Sequence, residues 1–406
     1  MMTIDHVARS AVESLRSGVP SKHAVEQLGT HQTEIKTAFE HGLACAGNGE
    51  PCDPIIFTAS FGQGKTHLLS CLKASALNAG FVASYVVLSP EMPLGNAHVV
   101  LRSTAENAEA PGHTGVALQA LAAAGRAYTD RWAELRLWAK RAGIQDRFRA
   151  LLHIYEEFTA EPEIRAQVVA DIEGKPMSKT LIKQKLREIN QLAGYDLHHP
   201  PNMSLAHERI RVYARFARAC GAKGLVVLFD EVERLAKFTR RQRLAAYGEL
   251  GWWKQAAAEE GAHILPVFAA NAVQVDEAVQ KDLPFLTYPT LPGGLFQEVS
   301  TEAPTEGIKM LRDECKIIRN ILPEEREQLK YRVKDLYKRA YAYEPPEPPA
   351  ADVATTVRSD IRRWITYWDL HRYYPAHQAA IDTTEMELDE TEIADTVLPR
   401  DPDTES

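Results

Sequence analysis

The sequence predicts an α/β fold built on a parallel sheet with a helical insertion, and three observations support this prediction. Four short runs are too continuously apolar for amphipathic helices, which is typical of strands buried on both faces of a sheet. Predicted helices alternate with these runs, as they do in a parallel α/β sheet. A long stretch rich in alanine, leucine and arginine separates the second run from the third. The predicted strands are 54–58, 81–88, 224–229 and 263–270, with a further candidate at 285–291.

Helices are predicted for most of the remaining segments. Apolar residues recur at helical spacing from Ile4 to Ala46, and interruptions at Gly18 and Gly29 divide this region into two or three short helices. Gly80 ends the helix that follows the first strand. The proline-rich stretch 344–349 is predicted to be an extended connector. The other predicted helical segments are 68–78, 116–142, 148–158, 241–260, 308–321, 323–341 and 353–371.

These segments predict a chain of five regions. An N-terminal helical segment spans 1–50, and the sheet core is assembled from 51–90 and 223–292. The helical insertion occupies 91–222 and a C-terminal helical lid domain occupies 293–378. The acidic tail, 379–406, is predicted to be disordered because it is highly charged and poor in aromatic residues.

The composition is that of a soluble globular protein. The chain is 45% hydrophobic and 25% charged, which excludes fibrous and wholly disordered classes. Its net charge of −8 lies mostly in the tail, so the rest is nearly neutral. The five cysteines are odd in number and form no C-x-x-C pair, which argues against both a disulfide framework and a zinc site. Charged residues interrupt the N-terminus and no long apolar run follows, so we expect a cytoplasmic protein without membrane contact.

The strongest chemical signal is a glycine-rich loop between the first strand and the helix after it. Such a loop, followed by Lys65 and Thr66, is typical of phosphate-binding loops, in which backbone N–H groups point at the phosphates. Gly62 and Gly64 let the backbone approach closely, Lys65 is predicted to contact the β- and γ-phosphates, and Thr66 to bind magnesium. Ala59 replaces the usual first glycine of the motif. The predicted nucleotide-contacting residues are Ser60, Phe61, Gly62, Gln63, Gly64, Lys65, Thr66 and His67.

Two adjacent carboxylates end the third predicted strand. Asp230 is predicted to hold magnesium and Glu231 to polarise the attacking water, the pair that phosphoanhydride hydrolysis requires. Acids after a strand are common by chance, but together with the loop they predict a nucleoside triphosphatase. The 165 residues that separate Lys65 from Asp230 accommodate the helical insertion.

Weaker signals surround these two motifs. Asn271, at the end of the fourth strand, is predicted to contact the γ-phosphate and the attacking water, with the alternative that it caps the strand or starts a turn. Arginines after the second motif and on the last helix include candidates for phosphate contact, in cis or across a subunit boundary. Basic residues of the insertion could follow a nucleic-acid backbone, although such helices are more often plain soluble surface.

The motifs together resemble the ATP-binding proteins of bacterial phage-exclusion (BREX) systems, of the BrxD-like kind. The resemblance covers most of the chain before the tail. It is carried by Leu15–Pro20, Phe61–Leu69, Gly80–Glu91, Phe229–Glu233 and Arg358–Asp369. It implies an AAA-type P-loop core related to origin-recognition and helicase-loading ATPases, and partners from the same defence system.

The sequence therefore predicts a magnesium-dependent ATPase that acts as a conformational switch or motor in a defence complex. Adenine is the default base because no guanine-reading Asn-Lys-x-Asp string is present. One alternative is a loader or translocase that engages duplex DNA. Another is a nucleotide-gated scaffold with little turnover. Homo-oligomerisation is compatible with each of these.

Overall fold

One mixed sheet forms the centre of the molecule. The computed structural model describes residues 5–18, 21–60, 62–124, 129–197, 202–287, 302–349 and 356–374. Within these ranges the strands are β1 (Ile55–Ala59), β2 (Val82–Val87), β3 (Ala108–Glu109), β4 (Leu225–Asp230), β5 (Ile264–Asn271) and β6 (Lys316–Ile317). Their order across the sheet is β3-β2-β4-β5-β1-β6. All neighbours are parallel except β2 and β3, which are antiparallel.

The burial of the strands explains why their sequences are continuously apolar. Every residue of β1 and β4 is buried, because helices cover both faces of the sheet. The strand β5 lies between β1, which precedes the glycine-rich loop, and β4, which ends at the two acids. The two motif-bearing strands are therefore not neighbours in the sheet, although β5 follows both of them in sequence. Since these strands are parallel, their carboxyl ends meet at one edge of the sheet. The predicted α/β fold, that of a P-loop NTPase, is confirmed.

Three helices precede the sheet: α1 (His6–Ser17), α2 (Lys22–Leu28) and α3 (Thr33–Asn48). Asp5 caps α1 by accepting hydrogen bonds from the backbone N–H groups of Val7 and Ala8, and Ser21 caps α2 in the same way. Gly18 ends α1 with a φ of 74°, a left-handed conformation that glycine adopts without strain. After β1, helix α4 (Lys65–Asn78) crosses to β2.

A helical region separates β2 from β4, as the sequence predicts. Its helices share one apolar core with one face of the sheet, and that core includes Leu151, Phe148 and Phe216. The short edge strand β3 within this region was not predicted. The helices are α5 (Ala97–Glu106), α6 (Ala117–Ala123), α7 (Thr129–Arg141), α8 (Asp146–Glu157), α9 (Pro162–Ile172), α10 (Lys179–Glu188) and α11 (Asn202–Ala219).

The predictions after β4 need two corrections. Helix α12 (Arg240–Ala258) precedes β5 as predicted, and α13 (Ala272–Thr287) follows it. The candidate strand 285–291 is wrong for residues 285–287, which continue α13, and residues 288–291 lie outside the described residues. The predicted helix 308–321 is wrong beyond Asp313, where α14 (Glu302–Asp313) ends and the sixth strand, β6, follows.

The two ends of the described chain share a separate apolar core. Helices α15 (Pro323–Tyr341) and α16 (Val357–Tyr373) pack with α1 and α2, and we call these four helices the terminal module. Its centre contains Val12, Tyr337 and Trp368. The connector 344–349 contains no helix, and Pro346 accepts a hydrogen bond from the Trp368 indole. The predicted acidic tail lies outside the described residues.

Candidate nucleotide-binding site

The glycine-rich loop has the backbone geometry that its sequence requires. Gly62 and Gly64 have φ values of 76° and 95°, in the left-handed region that side chains rarely enter. A Cβ on Gly64 would meet no atom within 4 Å, so its constraint is conformational. Ala59 is the last residue of β1 and pairs with Asn271 of β5, so strand geometry accommodates the missing glycine. Phe61 lies outside the described residues.

Side chains tie this loop to the segment after β6. The amide oxygen of Gln63 accepts a 2.8 Å hydrogen bond from the backbone N–H of Ser60. The amide nitrogen of Gln63 donates to Asn320 Oδ1 at 2.9 Å. The loop is therefore held by one hydrogen bond within it and by another to the segment after β6.

Thr66 and Asp230 meet at the carboxyl edge of the sheet. The Thr66 hydroxyl, in the first turn of α4, donates to Asp230 Oδ2 at 3.0 Å. The backbone N–H of Glu231 donates to the other carboxylate oxygen, Oδ1, at 2.9 Å. Asp230 is almost fully buried. The structure thus brings together the two residues that the sequence assigns to magnesium.

Tyr85 joins this pair, although sequence reasoning missed it. Its hydroxyl donates to Asp230 Oδ2 at 2.6 Å. Burial raises the pKa of Tyr85, and the negative charge of Asp230 raises it further, so the hydroxyl keeps its proton. The signal that could have identified Tyr85 is its position in the register of the two strands. In the parallel pair β2 and β4, Val87 lies opposite Asp230 and Tyr85 is two residues earlier on the same face.

The donor set fits a magnesium ion. Hydroxyl and carboxylate oxygens are the ligands that Mg²⁺ prefers, and it usually takes only one or two protein carboxylates and fills its shell with phosphate oxygens and water. Across the described ranges no group of three or more His, Cys, Asp or Glu side chains could hold a metal. Thr66 and Asp230 would hold the ion together with a nucleotide.

Lys65 contacts a carboxylate to which the sequence analysis gave no role. Its Nζ lies 3.5 Å from Glu233 Oε1, and both side chains are about nine-tenths buried, with exposed fractions of 10% and 8%. Burial raises the pKa of Glu233, while the charge of Lys65 acts in the opposite direction. The sequence feature that came closest to indicating a role for Glu233 was the alternation of acids at 231 and 233.

Glu231 occupies a strained backbone position at the rim of the site. Its φ is 63°, which costs a residue other than glycine roughly 1 kcal/mol. Its side chain is about one-third exposed and accepts a 3.1 Å hydrogen bond from Arg234 Nε. Strained residues persist where the surrounding structure enforces them, often at functional sites.

The structure gives Asn271 and His67 local partners. The side-chain oxygen of Asn271 accepts a hydrogen bond from Val273 N at 3.1 Å and so caps α13, the alternative noted above, while its contact with a phosphate stays a prediction. His67 lies within 2.7 Å of the Gly29 carbonyl through Nε2, which therefore carries the proton. Burial lowers the pKa of His67, which favours this neutral, donating ring.

A cavity of about 250 Å³ extends from the loop to the terminal module. Gly62, Gly64 and Thr66 line one end of it. Apolar side chains and polar side chains share the remaining wall, a composition typical of small-molecule sites. These other lining residues include Leu28, His31, Gln32, Gln328, Leu329, Arg332, Val357, Arg358 and Ile361.

The fold and the loop define the class of protein. The chain has the P-loop NTPase fold, of the kind in which an additional strand lies between the loop strand and the acidic strand. The chain matches the family described as BREX system ATP-binding protein BrxC/D over residues 5–122 and 146–347, and it belongs to this family. The resemblance noted from the sequence is thereby confirmed. No curated protein matches the chain. No helix in the described ranges is long and apolar enough to cross a membrane.

Proposed function

We propose that this protein is a magnesium-dependent ATPase that acts as a conformational switch in a BREX-type phage-defence complex. The observation that carries the proposal is the 3.0 Å hydrogen bond between Thr66 and Asp230. It joins the helix after the phosphate loop to the acidic end of β4, which is the juxtaposition that a magnesium-bound triphosphate needs. The family supports ATP as the nucleotide.

Each residue has a distinct task in the proposed reaction. Lys65 binds the β- and γ-phosphate oxygens, and the N–H groups of the loop and of the first turn of α4 bind the rest of the phosphate chain. Thr66 and Asp230 would hold a magnesium ion, which would neutralise phosphate charge when bound. Glu231 orients a water on the γ-phosphorus and accepts its proton as the bond to the β–γ bridging oxygen breaks. ADP and inorganic phosphate result.

Glu231 must leave Arg234 to perform this task. The pair is partly exposed, so separating it costs little, typically less than about 1 kcal/mol. Arg234 then becomes available to a phosphate or to a neighbouring subunit.

The switch follows from how the loop contacts the terminal module. His67 bonds to Gly29 at the end of α2, and a Cβ on Gly62 would lie 3.1 Å from the Thr356 side chain before α16. A nucleotide in the cavity would contact both the loop and the module. Nucleotide binding therefore favours a closed arrangement of the loop and the module over an open one, because the nucleotide makes more contacts in the closed arrangement. Hydrolysis removes this preference. The partners would be other proteins of the defence system.

The test is steady-state ATP hydrolysis by the purified protein and two variants. Lys65→Ala should abolish ATP binding. Glu231→Gln should still bind ATP but turn over at least ~100-fold more slowly, the scale expected when a group acting on the reacting water is removed. Unchanged binding by the first variant would refute the loop assignment, and an unchanged rate in the second would refute the role of Glu231.

The same assay with duplex DNA addresses the loader or translocase alternative. Several basic side chains of the insertion have acidic partners, as in Lys185 with Glu161 and Arg147 with Asp171. They are therefore less available to a phosphate backbone. We expect the rate of ATP hydrolysis to be the same with and without DNA. A rate that rises with DNA in a salt-dependent way would favour the loader or translocase instead.

A further inference from the structure

We propose that Glu233 is an internal counter-ion of Lys65 that an incoming polyphosphate must displace, and that it thereby sets the affinity of the site for nucleotides with a β-phosphate. This inference rests on the proposed function, because it requires Lys65 to bind phosphate. It assigns a role to a residue that lies two positions beyond the predicted catalytic acid.

The geometry isolates the pair from solvent. Glu233 lies in the short 3₁₀ helix Val232–Lys237, which follows the acidic end of β4, and Lys65 begins α4. Their charged atoms are 3.5 Å apart and both side chains are about nine-tenths buried. In the described part of the chain, the second carboxylate oxygen of Glu233, Oε2, is buried and has no hydrogen-bond partner. Among the groups that stabilise the charged carboxylate, Lys65 has the largest effect, ahead of the backbone N–H groups of Glu233 and Asn271.

Binding a polyphosphate disturbs this balance. When the ammonium group of Lys65 contacts the β- and γ-phosphates, Glu233 must share or lose this cation. A buried carboxylate without its partner is costly, and added phosphate charge nearby raises that cost. Glu231, another acid close enough to raise the pKa of Glu233, adds to the repulsion. The cost is subtracted from the binding free energy of every ligand that engages Lys65.

The number of phosphates then distinguishes this role from a structural one. ATP and ADP carry a β-phosphate that Lys65 would contact, whereas the single phosphate of AMP lies short of it. Neutralising Glu233 should therefore tighten ATP and ADP but leave AMP unchanged. A residue that merely packed beside the loop would alter all three affinities alike.

The experiment is calorimetric titration of the full-length protein with magnesium complexes of an imido-bridged ATP analogue and ADP, and with AMP. Glu233→Gln keeps the shape and removes the charge, and we expect it to bind the ATP analogue and ADP about tenfold more tightly, equivalent to about 1.4 kcal/mol. We expect unchanged AMP affinity. Glu233→Asp keeps the negative charge and should stay within about threefold of the unaltered protein.

Glu173→Gln is the matched control. Glu173 is also a buried carboxylate with a raised pKa and one unpartnered oxygen, but it lies at the end of α9 and accepts its hydrogen bond from Gln119. We expect it to leave all three affinities unchanged. Equal tightening by Glu173→Gln or by Glu233→Asp would overturn the proposal, as would weaker or unchanged ATP-analogue binding by Glu233→Gln.

The outcomes separate this inference from the proposed function. If the unaltered protein binds the ATP analogue, Lys65→Ala does not, and Glu233→Gln gains nothing, only the counter-ion role fails. If the unaltered protein binds no nucleotide, both proposals fail together.

Discussion

At the scale of single residues, the carboxylate of Asp230 is the most constrained group of the site. Thr66 and Tyr85 both donate to its Oδ2, and the backbone of Glu231 donates to its Oδ1. Three donors fix the orientation of the carboxylate before any ion arrives. Such preorganisation places a ligand at little further cost in side-chain entropy.

Tyr85→Phe tests this positioning role. The variant keeps the ring but removes the donor, and a hydrogen bond to a charged group contributes about 1.5 kcal/mol or more. We expect the magnesium concentration that gives half-maximal ATP hydrolysis to rise about tenfold. Tyr331→Phe, which alters an exposed ring on α15, is the control and should leave the magnesium dependence unchanged. If both variants have the magnesium dependence of the unaltered protein, Tyr85 only fills space.

The pH dependence of stability provides a second prediction at this scale. Burial, with help from Arg218, lowers the pKa of His263 from 6.5 to about 4, and its Nδ1 donates to the Ala46 carbonyl at 2.8 Å. Above pH 6.5 the ring is neutral in both the folded and the unfolded chain. Between 6.5 and about 4 only the unfolded chain takes up the proton, so stability falls as pH falls, by on the order of 3 kcal/mol over the window.

His263→Asn should flatten this dependence. Asparagine tolerates the φ of 55° at this position and does not titrate. Urea unfolding at about pH 7.5 and about pH 5 should show a smaller loss of stability in the variant than in the unaltered protein. His98→Asn, at an exposed site, should retain the full loss. An equally steep loss in His263→Asn would mean that other groups control the acid response.

Sequence reasoning reached part of the candidate site. The loop and the acids were visible because each is a local string with a chemical purpose, and the structure brings Thr66 and Asp230 together. Tyr85 and Glu233 were not visible as site residues. Their partners lie 145 positions away for Tyr85, and across the whole insertion for Glu233, so no local pattern pairs them.

At the scale of elements, long periodic segments were predictable and two-residue strands were not. The strands β3 and β6 are too short to show any periodicity, and pairing with β2 and β1 defines them. The apolar residues of 285–287 continue a helix, because a short apolar run does not distinguish a strand from a buried helical turn. Tertiary contact decides such cases.

The crossing of α12 and α14 depends on glycine. A Cβ on Gly251 would lie 2.2 Å from the Ala303 carbonyl oxygen, so Gly251→Ala must push the helices apart. We expect it to destabilise the protein by about 3 kcal/mol, since the gain of about 1 kcal/mol in helix propensity does not offset the overlap. Gly248→Ala, one turn earlier on α12, would make only a 3.8 Å contact and should be neutral or slightly stabilising. Equal unfolding midpoints in urea for the two variants would contradict this account of the crossing.

At the scale of the whole molecule, the terminal module closes the chain on itself. Arg16 of α1 pairs with Asp369 of α16 at 2.8 Å, and Arg332 of α15 donates to the Leu28 carbonyl at 2.7 Å. Each helix was predictable from the sequence but their association was not, because partners separated by more than 300 residues share no local pattern. The cavity lies where this module meets the phosphate loop.

This arrangement predicts that nucleotide binding stabilises the terminal module against local opening. A ligand that contacts both the loop and the module suppresses local opening of the module by a factor that grows with the ligand concentration relative to its Kd. Amide hydrogen exchange should therefore slow in α1, α2, α15 and α16 when the magnesium complex of the imido-bridged ATP analogue is added. Helices α7 and α8 of the insertion contribute no residue to the cavity lining and should exchange at the same rate with and without the analogue.

Lys65→Ala tests whether this protection depends on a nucleotide held by the phosphate loop. The variant should lose the protection of the terminal module, because the phosphates can no longer hold the nucleotide against the loop. Protection restricted to the loop and α4 in the unaltered protein would mean that the nucleotide does not reach the module. In that case the contact between His67 and Gly29 would be a fixed packing contact, and the terminal module could not carry the conformational signal to a defence partner.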